Sequence, residues 1–147
     1  MIYLGADHRG FKLKEKIKKW LDEWGQEYED VGPFEYDKDD DYPVYASKVA
    51  ESVVEPDDRG IIICGSGVGV DEVANKFDGI RSGLAINIEQ IRSARHDDNI
   101  NVLAIAADFI AEEDAQDIVK TFLETPFAGE ERFMRRLGEI EDIEENN

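Results

Sequence analysis

Hydrophobic residues change their spacing along the chain in a repeating way. Residues 1–6 (MIYLGA) form a short apolar run that stops at Asp7. Over residues 10–24, Leu13, Ile17, Trp20, Leu21 and Trp24 recur at helical spacing, and Lys12, Lys14, Lys16, Lys18 and Lys19 hold the remaining positions. That pattern predicts an amphipathic helix with a lysine-rich outer face, stopped at Gly25. Residues 27–31 (EYEDV) read as a strand, and 32–42 (GPFEYDKDDDY) as a long polar loop. Residues 43–54 read as a helix, with Pro43 tolerated in its first turn.

Residues 60–64 (GIIIC) are apolar on both faces, as expected of a central strand in a parallel sheet covered by helices. The loop 65–69 (GSGVG) leads into a helix expected from about Val70 to Lys76. Residues 79–86 read as a fourth strand, 88–97 as a helix and 101–107 as a fifth strand. Ala115, Ile118, Val119, Phe122 and Leu123 make the stripe of a helix over 112–124, and a last helix is expected over about 129–144. Five strands alternating with helices predict an α/β fold, a Rossmann-like three-layer sandwich with a five-stranded parallel sheet and an extra C-terminal helix. No repeat or boundary divides residues 1–147, so one domain is expected. The last helix follows a closed unit, and its stripe (Phe133, Leu137, Ile140) is expected to pack on a second subunit.

Composition narrows the partners. Among the 147 residues, 35 acids stand against 17 bases, a formal charge of −18. Such a surface repels nucleic acid and anionic membranes. No apolar run approaches the ~20 residues of a transmembrane helix, and Asp7 and His8 come too early for a signal-peptide apolar region, so a cytoplasmic protein is expected. The one cysteine, Cys64, excludes an internal disulfide and a cysteine-based zinc site.

Ligands of open parallel sheets sit beyond the carboxyl ends of the strands. Asp7 and His8 follow the first strand there, Cys64 and the glycine loop the third, and Asp108 the fifth. Glycine amides approach ligands closely, and a helix start favours anions and thiolate. Cys64 is thus a candidate base or nucleophile, although a lone cysteine in an apolar strand also serves as core filler. The Gly-x-Gly-x-Gly loop, with Glu89 downstream, is a poor dinucleotide fingerprint because it follows the third strand and has the wrong spacing. His8 suits anion binding or proton transfer, or a structural hydrogen bond. The run Glu35–Asp41, with five acids in seven residues, lacks the spacing of a calcium loop and reads as a solvated face. Arg132 and Arg136, four apart on one helix, could share a phosphate or pair with nearby glutamates.

Taken together, these segments resemble the type B ribose-5-phosphate isomerases, the family that also holds the galactose-6-phosphate isomerase subunits. The likeness is carried by Gly5-Ala6-Asp7-His8-Arg9-Gly10, by Asp41-Tyr42-Pro43-Val44-Tyr45-Ala46 and by the stretch Gly60 to Gly69. Ala74-Asn75-Lys76, Gly79-Ile80-Arg81, Asn101-Val102-Leu103-Ala104 and the arginine-containing tail continue it. The resemblance implies a homodimer, or a tetramer, with sites at the subunit interface, and neither metal nor organic cofactor. It implies aldose–ketose isomerisation of a phosphosugar, by default ribose 5-phosphate to ribulose 5-phosphate, through a cis-enediolate. Cys64 is then the base, with Ser66 and the amides of Gly65, Gly67 and Gly69 stabilising the enediolate. Asp7 and Tyr42 contact sugar hydroxyls, and His8, Arg132 and Arg136 hold the phosphate, the arginines reaching across the dimer. Where the family carries the ring-opening His-Asn, this chain has Asp97 and Asp98, with His96 one residue earlier. These three are carried forward as catalytic (His96, Asp97) and substrate-binding (Asp98) candidates. Asp108 stands where the family commonly has an arginine. These departures keep two alternatives in view: an isomerase for another or open-chain sugar, and a sugar-phosphate-binding protein without catalysis.

Overall fold

The computed structural model describes residues 1–147. Five parallel strands form one sheet: β1 (Ile2–Ala6), β2 (Tyr28–Asp30), β3 (Arg59–Cys64), β4 (Ser82–Leu84) and β5 (Val102–Ala106), in the order β2-β1-β3-β5-β4. The helices are α1 (Phe11–Glu23), α2 (Tyr42–Ser52), α3 (Val68–Ala74), α4 (Ile88–Asp98), α5 (Glu112–Glu124) and α6 (Glu131–Glu145). Alternation along β3 divides the core. Ile61 and Ile63 face a layer built on α1, α4 and α5, including Ile17, Leu21, Ile91, Ile118 and Phe122. Ile62 and Cys64 face the other layer, with Ala46, Val49 and Ala50 of α2 and Val70 and Ala74 of α3. The three-layer sandwich read from the sequence is therefore the fold. No helix is long and apolar enough to cross a membrane.

Four details depart from the sequence reading. The fourth strand shrinks to Ser82–Leu84, because it is an edge strand paired with β5 alone. Asn101 and Asn75 side chains take the amides of Arg81 and Ser82 instead. Helix α3 starts at Val68, two residues early, because Gly67 turns the chain at φ +71°. A side chain at Gly67 would also press on the backbone of Ala106, so this position requires glycine on both counts.

In α6, Phe133 is already buried within the subunit, at 5% exposure, against the His96 ring. It leaves the stripe offered to a second subunit, while Ile140 and Ile143 remain exposed.

The last departure is Lys14, assigned to the polar face of α1 and in fact fully buried. Its ammonium donates to Asp30 at 2.7 Å and to the Pro33 carbonyl at 2.8 Å, and lies 3.3 Å from Glu15. Helical spacing cannot foresee this, because the partners come from the chain after β2. Burial would raise the Asp30 carboxyl. Hydrogen bonds from Lys14, Lys18 and the Gly32 amide overcome that and hold it below the ordinary aspartate value.

A depressed carboxyl contributes stability above its unfolded pKa, near 3.9, and loses it as pH falls through the folded value. Asp30→Asn should therefore destabilise the protein at neutral pH by about 3 kcal/mol, roughly 10 °C in Tm, by leaving a buried ammonium short of its charge partner. The gap from wild type should shrink as thermal unfolding is followed below pH 4. An equal loss at every pH would show that charge is not the cause.

Candidate functional site

Helix α1 leaves β1 toward one face of the sheet, whereas α3 leaves β3 toward the other. β1 and β3 are neighbours, so the loops at their carboxyl ends diverge and open a crevice. Register sets its floor: Ala6 pairs with Ile63, and Cys64 with Ala106. The segments that follow stay tied together. Asp7 donates its amide to the Ile63 carbonyl at 3.2 Å, Ala107 to Cys64 at 2.9 Å, and Asp108 to Gly65 at 3.0 Å.

Asp7 is 5% exposed. Its Oδ1 accepts the amides of Arg9 at 2.9 Å and Gly10 at 3.1 Å, which shapes the turn into α1. Burial pushes its carboxyl up, and those amides pull against the shift. Such a group is suited to a hydrogen bond with a neutral hydroxyl. Cys64 is a free thiol at 4% exposure on the α2–α3 side. Ser66 is exposed, and its Oγ accepts the Val68 amide at 3.3 Å. Tyr42 opens α2, and its ring occupies the space beside Gly69, where an added Cβ would come within 2.7 Å of ring carbons. Gly69 therefore lets Tyr42 lie against the glycine loop. Asp71, in the first turn of α3, accepts from Ser82 Oγ at 2.7 Å, and burial raises its carboxyl against that bond.

Two charged pairs complete the rim. Arg9 is ion-paired with Asp108, both about half exposed, and its guanidinium lies on the backbone of Gly65, where any side chain would collide with it. The acid at the end of β5 is thus neutralised by a cation from the end of β1. His8 pairs through Nδ1 with Asp40 at 2.8 Å. The acidic run reads as a solvated face, but the Asp40 side chain is only 4% exposed. No local pattern marks it, because its partner lies 32 positions away.

Asp7, His8, Tyr42, Cys64, Ser66, Gly65, Gly67 and Gly69 therefore converge. His96, Asp97, Asp98, Arg132 and Arg136 do not join them within the subunit. They belong to the end of α4 and the start of α6. The end of α4 leads into the amino end of β5, about 13 Å along that strand from the level of Cys64. They form a second polar group. His96 Nδ1 meets Asp97 at 2.6 Å, and the Arg132 guanidinium stacks on Phe133 at 4.7 Å and pairs with Glu130 at 3.1 Å. Buried Arg95 anchors this corner by donating to Asn99 at 2.9 Å, the Ile100 carbonyl at 2.6 Å and the Thr125 carbonyl at 3.1 Å. Burial, with Arg59 and Arg81 nearby, pushes the Arg95 pKa down to about 10. A cavity of about 480 Å³ between α6 and the α3–β4 connection is separate from both groups and includes Phe77, Ile140 and Ile143 in its walls.

Comparison with known proteins bears directly on this arrangement. The profile of the ribose/galactose isomerase family matches residues 2–140. The chain is 38% identical over 144 residues to ribose-5-phosphate isomerase B of Mycolicibacterium paratuberculosis, covering 97% of this chain and 91% of that one. It superposes on ribose-5-phosphate isomerase B of Clostridium thermocellum with a TM-score of 0.93 at 38% identity, covering 99% of this chain and 97% of that one. For the Mycoplasma genitalium ribose-5-phosphate isomerase B with bound ribulose-5-phosphate, the TM-score is 0.90 at 35% identity, with the same coverage.

The Arg9–Asp108 pair yields an electrostatic test. Arg9→Ala leaves Asp108 uncompensated at the crevice and should weaken inorganic phosphate binding about tenfold, as followed by calorimetry. Arg9→Ala/Asp108→Ala should recover most of that loss. Equal affinities for the wild type and Arg9→Ala would mean that the pair lies outside the field felt by the anion.

Proposed function

The chain belongs to the ribose/galactose isomerase family, and from that premise we propose that it is a single-domain aldose–ketose isomerase that interconverts ribose 5-phosphate and ribulose 5-phosphate. The observation that carries this reading is the crevice itself. A lone thiol, a buried carboxyl and a glycine loop from two diverging strand ends meet at the place where the fold binds ligands.

The chemistry follows from those groups. In the open-chain aldose, the Cys64 thiolate removes the proton from C2. Electrons move into the C1–C2 bond and the carbonyl oxygen gains negative charge, giving a cis-enediolate. The same thiol then returns a proton to C1, while a proton exchange between the two oxygens leaves the ketone at C2. Ser66 and the loop amides face the developing charge as an oxyanion hole does. Asp7 and Tyr42 orient the hydroxyls, and His8 faces the phosphate.

The second polar group serves the same site from another copy of the chain. In this reading a homodimer brings Arg132 and Arg136 to the partner's phosphate, and the His96–Asp98 segment to its sugar ring. The exposed Ile140 and Ile143 mark apolar surface for that contact. A second reading, an isomerase of open-chain sugars, is favoured by Asp97, which holds His96 Nδ1 and stands where the family has its ring-opening histidine.

Turnover over a panel of phosphorylated and free aldoses separates these readings. Ribose 5-phosphate as the best substrate supports the first, and a preferred tetrose phosphate supports the second. Cys64→Ser should fold normally, bind the sugar phosphate with little change and lose about 10²–10⁴ in kcat. A folded Cys64→Ser protein with near-wild-type turnover would move the base elsewhere, with Asp71 the next candidate. Sedimentation at micromolar concentration should show a dimer or tetramer, and a monomer would defeat the shared site.

A further inference from the structure

We propose that Asp40 is a positioning residue for His8, fixing the ring so that Nε2 faces the ligand. The proposal rests on the sugar-phosphate reading of the crevice and adds a residue outside the motifs that identify the family.

The geometry has three parts. Asp40 Oδ1 accepts both the His8 backbone amide and Nδ1, each at 2.8 Å. A carboxylate can only accept, so Nδ1 carries the proton and Nε2 is the ring atom left for a ligand. The ring is held from the side by the edge of Tyr36, at 6.5 Å between centroids, and Tyr36 in turn meets Phe11 of α1 at 6.2 Å. Finally, Asp40 Oδ2 is buried and has no hydrogen-bond partner. The polar contacts that hold the Asp40 carboxylate in place are therefore its two bonds to His8.

The pairing also sets charge. The groups facing His8 are Asp7 and Arg9 on its own loop and Asp40 from the loop before α2. Tyr45 of α2 and Asp7 lie near Asp40. The hydrogen bond to Asp40 raises the His8 pKa above the ordinary histidine value, with burial opposing, Asp7 assisting and Arg9 opposing. A phosphate monoester becomes a dianion above pH ~6, and an ordinary histidine loses its charge near ~6.5. Unassisted, imidazolium and dianion would coexist only in a narrow interval. Asp40 extends that interval upward. The accompanying stability is fully present below the unfolded histidine pKa and is lost as pH rises through the folded one.

The chain has two histidines, so NMR titration resolves both imidazoles, with His8→Gln for assignment. In the wild type, His8 should titrate above the ordinary histidine range, and a value at or below it overturns the proposal without any Asp40 variant. In Asp40→Asn the His8 value should fall while His96 stays in place, and Asp40→Glu should recover part of the shift. Inorganic phosphate should bind Asp40→Asn at least about fivefold more weakly at pH 7.5, with a smaller loss at pH 6. Unchanged His8 titration in folded Asp40→Asn, or a phosphate loss independent of pH, would overturn the positioning role. If the wild type turns over no sugar phosphate while His8 still responds to Asp40→Asn, the positioning stands and the isomerase reading falls.

Discussion

Everything at the crevice depends on one constraint: β1 and β3 lie side by side while their helices leave toward opposite faces. Right-handed crossovers impose this wherever strand order reverses, and here it reverses between β1 and β3. No single helix covers both strand ends, so the loops after β1 and β3 part there, leaving Ser66 and Arg9 exposed over the buried Asp7 and Cys64. The residue types follow from that divergence. Asp7 spends one oxygen shaping the turn into α1, and Gly67 and Gly69 let neighbouring groups come close where β3 turns into α3.

Electrostatics determine how the rim is used. The chain carries a formal charge of −18, yet its proposed substrate is an anion. Several cations near this end are already committed: Arg9 to Asp108, and Lys14 and Lys18 to Asp30. The Asp30 cluster fixes the end of β2 and the chain leading from it through Pro33. For the proposed anionic substrate, local neutralisation of this kind matters more than overall charge.

Most of the architecture was legible in the sequence because it rests on periodicity. The run GIIIC and the stripe on α5 each report burial directly, and both lie where the pattern placed them. The residues that escaped are those whose partners are remote in sequence. Lys14 reads as one more surface lysine until Pro33 and Asp30 fold over it. Asp40 reads as one more acid in a polar run until His8 meets it. Phe133 looked available to another subunit because nothing local shows that the end of α4 would cover it. The convergence of Asp7, Cys64, Tyr42 and the glycine loop was legible through family motifs. The separation of His96–Asp98 and the tail arginines from that group is a matter of which end of β5 each segment reaches, and that is a property of topology.

The polar connection between β2 and α2 is fastened at both ends. Gly32 accepts the Ala6 amide and Pro33 the Lys14 ammonium, while Asp40 closes the far end on His8. Residues 34–39 between these anchors are exposed. Added length in a flexible span raises its closure entropy only slowly, about 0.6 kcal/mol per doubling. Lengthening this span away from Tyr36, whose ring meets His8 and Phe11, therefore costs little. The phase between Asp40 and Tyr42 is a different matter. One oxygen of Asp40 is set on His8 and the ring of Tyr42 on Gly69, so a single deletion between them would force one grip to be released. Relatives with long and short versions of this connection should differ before Asp40 and keep the same count after it.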